Sequence, residues 1–172
     1  MPTNIEIKAR VRDAGALAAR VAAIADSPGV TLRQRDTFFA CADGRLKLRE
    51  FGDGGSELIW YRRDDTAGSK KSEYRVTPVP DPSCLRELLA RAVGTTGVVV
   101  KTRRLFLVGQ TRVHLDEVAG LGSFVELEVV LRDGQAEAEG HAIAAELIGR
   151  LGIEARDMVE GAYADLLAPR AP

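Results

Sequence analysis

The feature that most limits how this chain can fold is a charged side that recurs on almost every predicted strand. In residues 4–11, apolar side chains stand at every second position from Ile5 onward, with Glu6 and Lys8 between them. Because successive side chains of a strand point to opposite faces, this segment has one apolar and one charged face. The same alternation recurs along the chain, and its charged side collects Lys47, Arg49, Arg63, Lys70, Lys101, Arg103, Arg112, Asp116, Glu126 and Glu128.

Turn and helix signals divide the chain into about eight strands with helices between them. Strands are predicted at residues 4–11, 31–42, 45–51, 57–63, 70–77, 98–108, 111–118 and 123–131. Helices are predicted at residues 13–26, from Asp81-Pro82 to Gly94, at 135–151 and at 157–167. An Asp N-cap before Pro and a Gly at the far end are typical helix boundaries. The pattern indicates an α+β chain dominated by antiparallel hairpins.

Two arrangements of such a sheet remain open. An antiparallel sheet with one face in water shows the same alternation and is the commoner case. Alternatively, the sheet curls into a barrel whose apolar side faces outward beneath helices and whose charged side faces inward. The segregation of charge favours the barrel, since cations concentrate in the middle strands and carboxylates elsewhere. Enclosing them would cost much free energy unless a polyanion and a metal ion neutralised them.

Composition bounds the remaining possibilities. The chain has 24 Lys and Arg against 25 Asp and Glu, so no global positive field attracts nucleic acid or an anionic membrane. Its 172 residues predict a single domain over 1–168 with a frayed tail at 169–172. Cys41 and Cys84 form no CxxC pair and are interpreted as small buried residues in a reducing compartment. No signal peptide or membrane span is apparent, so we expect a cytoplasmic location.

The charged side offers the groups that metal-dependent phosphate chemistry requires. Glu126 and Glu128 alternate on one strand, which places both carboxylates on one face about 7 Å apart. With a carboxylate from a neighbouring strand they can hold Mg²⁺ or Mn²⁺, which prefer oxygen ligands. Lys and Arg from several strands can bind phosphate oxygens, and Arg can do so bidentately. Phosphoryl transfer needs little more than such positioning and charge stabilisation.

Several segments resemble the CYTH superfamily of triphosphate tunnel enzymes. Residues 4–8 (Asn-Ile-Glu-Ile-Lys) stand where the family has Glu-x-Glu-x-Lys, and residues 46–50 follow Asp36 at the family's spacing. Residues 114–128 are similar to the class IV adenylate cyclase branch. The resemblance extends to about residue 165. It implies an α+β fold built on an eight-stranded antiparallel β-barrel with flanking helices, which binds a triphosphate and one or two divalent cations.

The resemblance also assigns roles by position. It implies that metal is bound by Glu6, Asp116, Glu126 and Glu128. It implies that the triphosphate is bound by Lys8, Lys47, Arg49, Arg63, Lys70, Lys101, Arg103 and Arg112. Glu6, Lys8 and Asp116 are the expected catalytic residues, and His114 shares a face with Asp116. One departure is Asn4, which replaces the family's first glutamate with an uncharged and weaker ligand.

Three functions remain open at this stage. The first is a class IV adenylate cyclase-like enzyme that converts ATP to cyclic AMP and pyrophosphate. The second is a triphosphatase acting on tripolyphosphate, thiamine triphosphate or a nucleoside triphosphate. The third is a non-catalytic module that binds polyphosphate or nucleotide. All three imply Mg²⁺ or Mn²⁺ and a small triphosphate-containing molecule as partner, with no nucleic acid and no membrane, and all are compatible with a homodimer.

Replacing both Glu126 and Glu128 by Ala is expected to abolish metal-dependent turnover of a triphosphate without disrupting the fold. The reason is that the two carboxylates are the predicted ligands, whereas Ala leaves the outward-facing apolar positions of the strand unchanged. Turnover with Mg²⁺ or Mn²⁺ checks the first expectation, and far-UV circular dichroism checks the second. Unchanged turnover in the double variant would refute the ligand assignment.

Overall fold

The predicted strands close into a barrel. The computed structural model describes residues 3–63 and 69–168, with the side chain of Arg63 outside that description. The strands are β1 (Thr3–Arg10), β2 (Val30–Phe39), β3 (Arg45–Phe51), β4 (Ser56–Arg63), β5 (Lys70–Pro78), β6 (Thr95–Val108), β7 (Thr111–Val118) and β8 (Gly122–Val130). All neighbours are antiparallel, in the closed order β1-β5-β4-β3-β2-β6-β7-β8. The predicted fold class is therefore confirmed.

In the described part of the chain, four α-helices flank the barrel. They are α1 (Ala14–Ile24), α2 (Pro82–Ala92), α3 (Glu137–Leu151) and α4 (Tyr163–Leu167). Asp13 and Asp81 cap the first two, each accepting a hydrogen bond from a backbone N–H of the first turn. Across residues 3–63 and 69–168, none of the helices is long and apolar enough to span a bilayer. The single domain over 1–168, the homodimer and the cytoplasmic location stay predictions.

Two local expectations are wrong. Residues 157–167 are not one helix, because the chain makes a 3-10 turn at Ala155–Asp157 and α4 begins only at Tyr163. The connecting segment is held by β1: Met158 bridges to Ala9, and the Val159 N–H donates to the Lys8 carbonyl. Cys41 and Cys84 are exposed rather than buried, since both lie on peripheral segments.

The apolar side of the barrel wall faces outward beneath helices. Ile5, Ile7 and Ala9 of β1 pack with the outward side chains of β8 against α1 and α3. The buried members of this cluster are Ile5, Ile7, Ala9, Leu17, Val21, Phe106, Val113, Val125, Leu127, Val129, Ala144, Leu147 and Leu151. Burial of such side chains is the main favourable contribution to folding, and here it lies outside the barrel. The interior is therefore left to the polar side chains.

One end of the barrel interior is apolar and filled by α4. Tyr163 packs with Phe38, Val99, Val118 and Phe124 in a second buried cluster. The Tyr163 and Phe124 rings meet edge to face, with centroids 4.9 Å apart. The residues that connect the 3-10 turn to α4 thus return the chain to the barrel end and place Tyr163 inside it.

The glycines of α3 allow a test of how closely this helix packs on the barrel. A Cβ at Gly140 would lie 2.6 Å from Leu131 Cδ2 and 2.7 Å from Ile5 Cγ1, whereas nothing lies within 4 Å at Gly149. We expect Gly140→Ala to lower the free energy of unfolding by about 1–3 kcal/mol relative to Gly149→Ala, because overpacking strains the core. The matched variant cancels the intrinsic helix preference of Ala over Gly. Urea denaturation measures both, and equal stabilities would contradict the close packing.

Candidate functional site

The charged side chains line a cavity inside the barrel, which we call the tunnel. It has a volume of about 340 Å³ and is lined by inward-facing residues of all eight strands together with Ala162 and Tyr163. Lys47, Arg103 and Glu128, from three different strands, all face this cavity. Of the two arrangements left open by the sequence, the barrel with a charged interior is therefore the one adopted.

Asp36 of β2 is the centre of the first charged cluster. Arg49 donates to both carboxylate oxygens at 2.7 Å, and Lys47 Nζ donates to Oδ2 at 2.8 Å. Burial acts to raise the pKa of Asp36, but Lys47 and Arg49 hold it far below its usual value of 3.8. Because the folded pKa is depressed, this carboxylate contributes stability above about pH 4 that is lost as the pH falls.

Lys47 is the cation of this cluster whose protonation is most affected by its surroundings. Burial and the neighbouring charge of Arg49 lower its pKa to about 7, against the opposing influence of Asp36. Its Nζ also lies 5.5 Å from the ring centroids of both Phe38 and Tyr61. An anion bound beside Lys47 would favour its protonated form.

Asp116 of β7 is the centre of the second charged cluster. Arg103 donates to both carboxylate oxygens at 2.6 and 2.5 Å, Lys101 Nζ donates to Oδ2 at 3.2 Å, and the Tyr163 hydroxyl donates to Oδ2 at 3.1 Å. Burial acts to raise the pKa of Asp116, but Arg103 and Lys101 lower it. Both oxygens of Asp116 thus have protein partners, and the metal-ligand role predicted for it stays a prediction.

Glu126, Glu128 and His114 form an acidic corner of the tunnel. One potential ligand atom from each lies within 4.8 Å of the others. His114 Nδ1 is 3.7 Å from Glu126 Oε2 and 3.7 Å from Glu128 Oε1. Burial acts to raise the pKa of Glu126, but Lys8 and Arg103 hold it well below its usual value. Burial and the Arg103 charge lower the pKa of His114, which favours the neutral imidazole.

Two predicted residues of β1 face the same corner. Glu6 lines the tunnel and is the cross-strand neighbour of Glu128. Lys8 Nζ donates to the Gly161 carbonyl at 3.0 Å and lies 3.3 Å from Glu126 Oε1. Both side chains therefore lie beside the acidic corner, and their predicted roles, metal binding for Glu6 and triphosphate binding for Lys8, stay predictions.

The remaining predicted phosphate-binding residues are more dispersed. Arg112 Nε donates to Glu128 Oε2 at 2.9 Å, which ties it to the acidic corner. Lys70 is buried and lines a small side cavity together with Glu6 and Glu128. The side chain of Arg63 lies outside the described residues. The prediction for Arg63 therefore stays a prediction.

Asn4 stands where the resemblance expects a carboxylate. It is 2 % exposed and lines the tunnel. With its amide nitrogen facing them, it lies 3.2 Å from the Ser72 carbonyl oxygen and 3.2 Å from Glu6 Oε1. In this orientation the amide donates to the carboxylate of Glu6 and supports its position.

Sequence reasoning did not single out three features of the tunnel. The sequence analysis used Asp36 only to mark the spacing of a family motif. Its place on the strand that precedes the strand of Lys47 and Arg49 could have predicted their ion pairs. Tyr163 gave no local signal, because its position depends on the return of the chain to the barrel end. The third feature is an apolar wall made by Leu32, Phe51 and Leu105 on the neighbouring strands β2, β3 and β6.

Comparison with known proteins gives a family and a fold. The CYTH domain model matches residues 2–163. The PH1012 protein of Pyrococcus horikoshii OT3 superposes with a TM-score of 0.84 at 23% identity, over 96% of this chain and 99% of that one. A comparison with curated proteins gave no match.

Two further solved structures carry functional descriptions. A protein from Vibrio parahaemolyticus described as a putative adenylate cyclase has a TM-score of 0.77 at 20% identity, over 95% of this chain and 97% of that one. The HpAC1 protein from Hippeastrum, described as an adenylyl cyclase candidate with a dominant triphosphatase activity, has a TM-score of 0.63 at 18% identity, over 87% and 88%. At these identities the likeness establishes the fold alone.

Asp36→Asn is expected to destabilise the protein and to make it more responsive to anions. The variant keeps the shape of the side chain but leaves Lys47 and Arg49 without their buried counter-charge, at a cost on the order of 3 kcal/mol. Tripolyphosphate should raise the melting temperature of this variant by more than that of the wild type, because the anion replaces the lost charge. Thermal denaturation with and without the anion measures both effects.

The exposed Asp133→Asn variant is the matched control, since it removes one carboxylate away from the tunnel. A loss of stability no greater than that of this control would contradict the anchoring role of Asp36.

Proposed function

The chain belongs to the CYTH family, and we propose that it binds ATP with a divalent cation in its tunnel and converts it to cyclic AMP and pyrophosphate. The observation that carries this proposal is the charge arrangement of one cavity inside the barrel. Cations from β1, β3 and β6 and carboxylates from β8 line this same cavity. Such an interior suits a polyanion bound together with a metal ion.

The cations provide the phosphate-binding part of the site. Arg49 and Arg103 are oriented by Asp36 and Asp116, which hold each guanidinium by two hydrogen bonds. A guanidinium fixed in this way loses little conformational entropy when it binds a phosphate oxygen. We assign phosphate binding to these two residues together with Lys8, Lys47, Lys101 and, with a smaller share, Lys70, Arg63 and Arg112.

The acidic corner provides the metal-binding part. Glu126 and Glu128 offer oxygen donors within 4.8 Å of one another, which fits a hard divalent cation such as Mg²⁺ or Mn²⁺. Glu6, beside Glu128 on β1, is the next candidate ligand. A bound cation of this kind stabilises the charge of a leaving pyrophosphate and lowers the pKa of an attacking hydroxyl.

The apolar wall favours a nucleotide over an inorganic polyphosphate. Leu32 stands on β2 at the end away from Phe38, and Phe38 belongs to the cluster around Tyr163. Leu105 and Phe51 face the cavity from the strands on either side of β2. An adenine ring could bury its faces against these three side chains, while the triphosphate extends toward Asp36 and Asp116.

The proposed reaction is an attack of the ribose 3′-oxygen on the α-phosphorus. A new oxygen–phosphorus bond closes the ring, the bond to pyrophosphate breaks, and the hydroxyl proton passes to a carboxylate. Glu6 is the group we assign as proton acceptor, because Asn4 orients it and it lies on the wall that carries the acidic corner. Lys8 is assigned to neutralise charge on the leaving group, and Asp116 to position Lys101 and Arg103.

A triphosphatase is the second candidate. The cations held by Asp36 and Asp116 can bind a chain of phosphates. This binding does not require a contact to a nucleotide base. The described triphosphatase activity of the Hippeastrum protein is compatible with the same kind of interior. In this case water, rather than the ribose hydroxyl, would attack a phosphorus atom.

Product analysis distinguishes these candidates. We expect incubation of the full chain with Mn²⁺ or Mg²⁺ and ATP to yield cyclic AMP and pyrophosphate in equal amounts, and tripolyphosphate to remain intact, because it carries no ribose hydroxyl. Release of orthophosphate from ATP or tripolyphosphate without cyclic AMP would favour the triphosphatase. Tight binding without turnover of either compound would contradict both enzymatic candidates and favour a binding module. The Glu126→Ala, Glu128→Ala double variant controls for contaminating activity.

A further inference from the structure

We propose that His114 is a direct metal ligand through Nδ1, and that this nitrogen donor makes the acidic corner select Mn²⁺, Co²⁺ or Zn²⁺ over Mg²⁺. The inference rests on the proposed function only in placing a metal site in the tunnel. It adds a ligand of a different chemical type and a metal preference.

The position of His114 supports a ligand role. It stands on β7, directly across from Glu126 of β8, and its side chain is 5% exposed. Nδ1 is buried and, among the described residues, has no hydrogen-bond partner. A buried polar atom without a partner is costly, so its persistence points to a ligand.

The distances around Nδ1 fit a shared cation better than hydrogen bonds. Nδ1 is 3.7 Å from Glu126 Oε2 and 3.7 Å from Glu128 Oε1, which is too long for a hydrogen bond to either. Two ligand atoms bonded to one cation at about 2.1 Å are separated by roughly 3.0–3.5 Å. A contraction of a few tenths of an ångström would therefore bring the three atoms into ligand positions around one ion.

The carboxylates retain the capacity to bind such an ion. Arg112 donates a hydrogen bond to Oε2 of Glu128, whereas Oε1 is the oxygen that faces His114. On Glu126, Arg103 forms an ion pair with Oε2, and Lys8 forms one with Oε1. A carboxylate oxygen has more than one lone pair, so it can accept from a cationic side chain and still bind a metal.

The donor set determines the metal preference. Carboxylate and water oxygens alone suit Mg²⁺, whereas an imidazole nitrogen strengthens the binding of borderline transition-metal ions. Mg²⁺ also retains its water shell strongly and gains little from a nitrogen ligand. With His114 included, the corner is a mixed nitrogen and oxygen site for an ion of the Mn²⁺, Co²⁺ or Zn²⁺ class.

Metal titrations in the absence of any triphosphate test the preference. For His114→Gln, we expect the affinity for Co²⁺ to fall by about tenfold or more, as loss of a metal-site residue commonly causes, while the Mg²⁺ affinity stays nearly constant. Glu128→Gln should weaken both ions, because it removes an oxygen ligand. His141→Gln is the matched control, since the chain has 2 histidines and His141 lies on α3 outside the tunnel. Calorimetry on the full chain gives the dissociation constants.

A spectroscopic readout identifies the nitrogen and does not depend on the His114 variant folding. In the ¹⁵N-histidine-labelled His141→Gln protein, one imidazole remains, and Zn²⁺ should shift its Nδ1 resonance far more than its Nε2 resonance. An unchanged Co²⁺ to Mg²⁺ affinity ratio in folded His114→Gln, or no Nδ1 shift at saturating Zn²⁺, overturns the inference. Failure of the product analysis would leave these metal titrations intact, so the two proposals fail separately.

Discussion

Two buried carboxylates hold the interior of this barrel together. Asp36 and Arg49 are directly paired across β2 and β3, and Asp116 and Arg103 are paired in the same way across β6 and β7. Each carboxylate also binds a lysine, and in the Asp116 cluster Arg103 binds Glu126 as well. The carboxylates thus orient cations that line the cavity. An arrangement of this kind suits a polyanion, which would add negative charge beside these cations.

The fold tolerates the free-energy cost of this charged interior because most of its hydrophobic core lies outside the barrel, beneath the helices. The outer cluster beneath α1 and α3 buries the apolar side of β1 and β8, and the second cluster places Tyr163 at one barrel end. Tyr163 connects the two regions, since its ring packs on Phe124 while its hydroxyl donates to Asp116. Packing of the last helix is thereby coupled to the position of the Asp116 cluster.

The tunnel has a chemical order along its length. Apolar residues around Tyr163 occupy one end, the two cation clusters follow, and the wall of Leu32, Phe51 and Leu105 lies beyond them. The acidic corner of Glu126, Glu128 and His114 lies to one side, on the β7–β8 pair. A linear substrate with an apolar end and a charged end would meet matching surroundings in only one orientation, with its metal-binding oxygens toward the acidic corner.

The sequence by itself determined the strands, their charged faces and the residue types that can bind phosphate and metal. Those features are local, since period-2 alternation and the Glu126-x-Glu128 spacing are set by strand geometry. Whether the charged faces point into water or into the barrel interior was decided by the tertiary structure, because that depends on pairing β1 with β8 and on helices covering the other side. The same holds for Tyr163, which reaches the interior because the chain returns to β1 before α4, where Met158 bridges to Ala9. That contact joins residues far apart in sequence, and no local pattern specifies it.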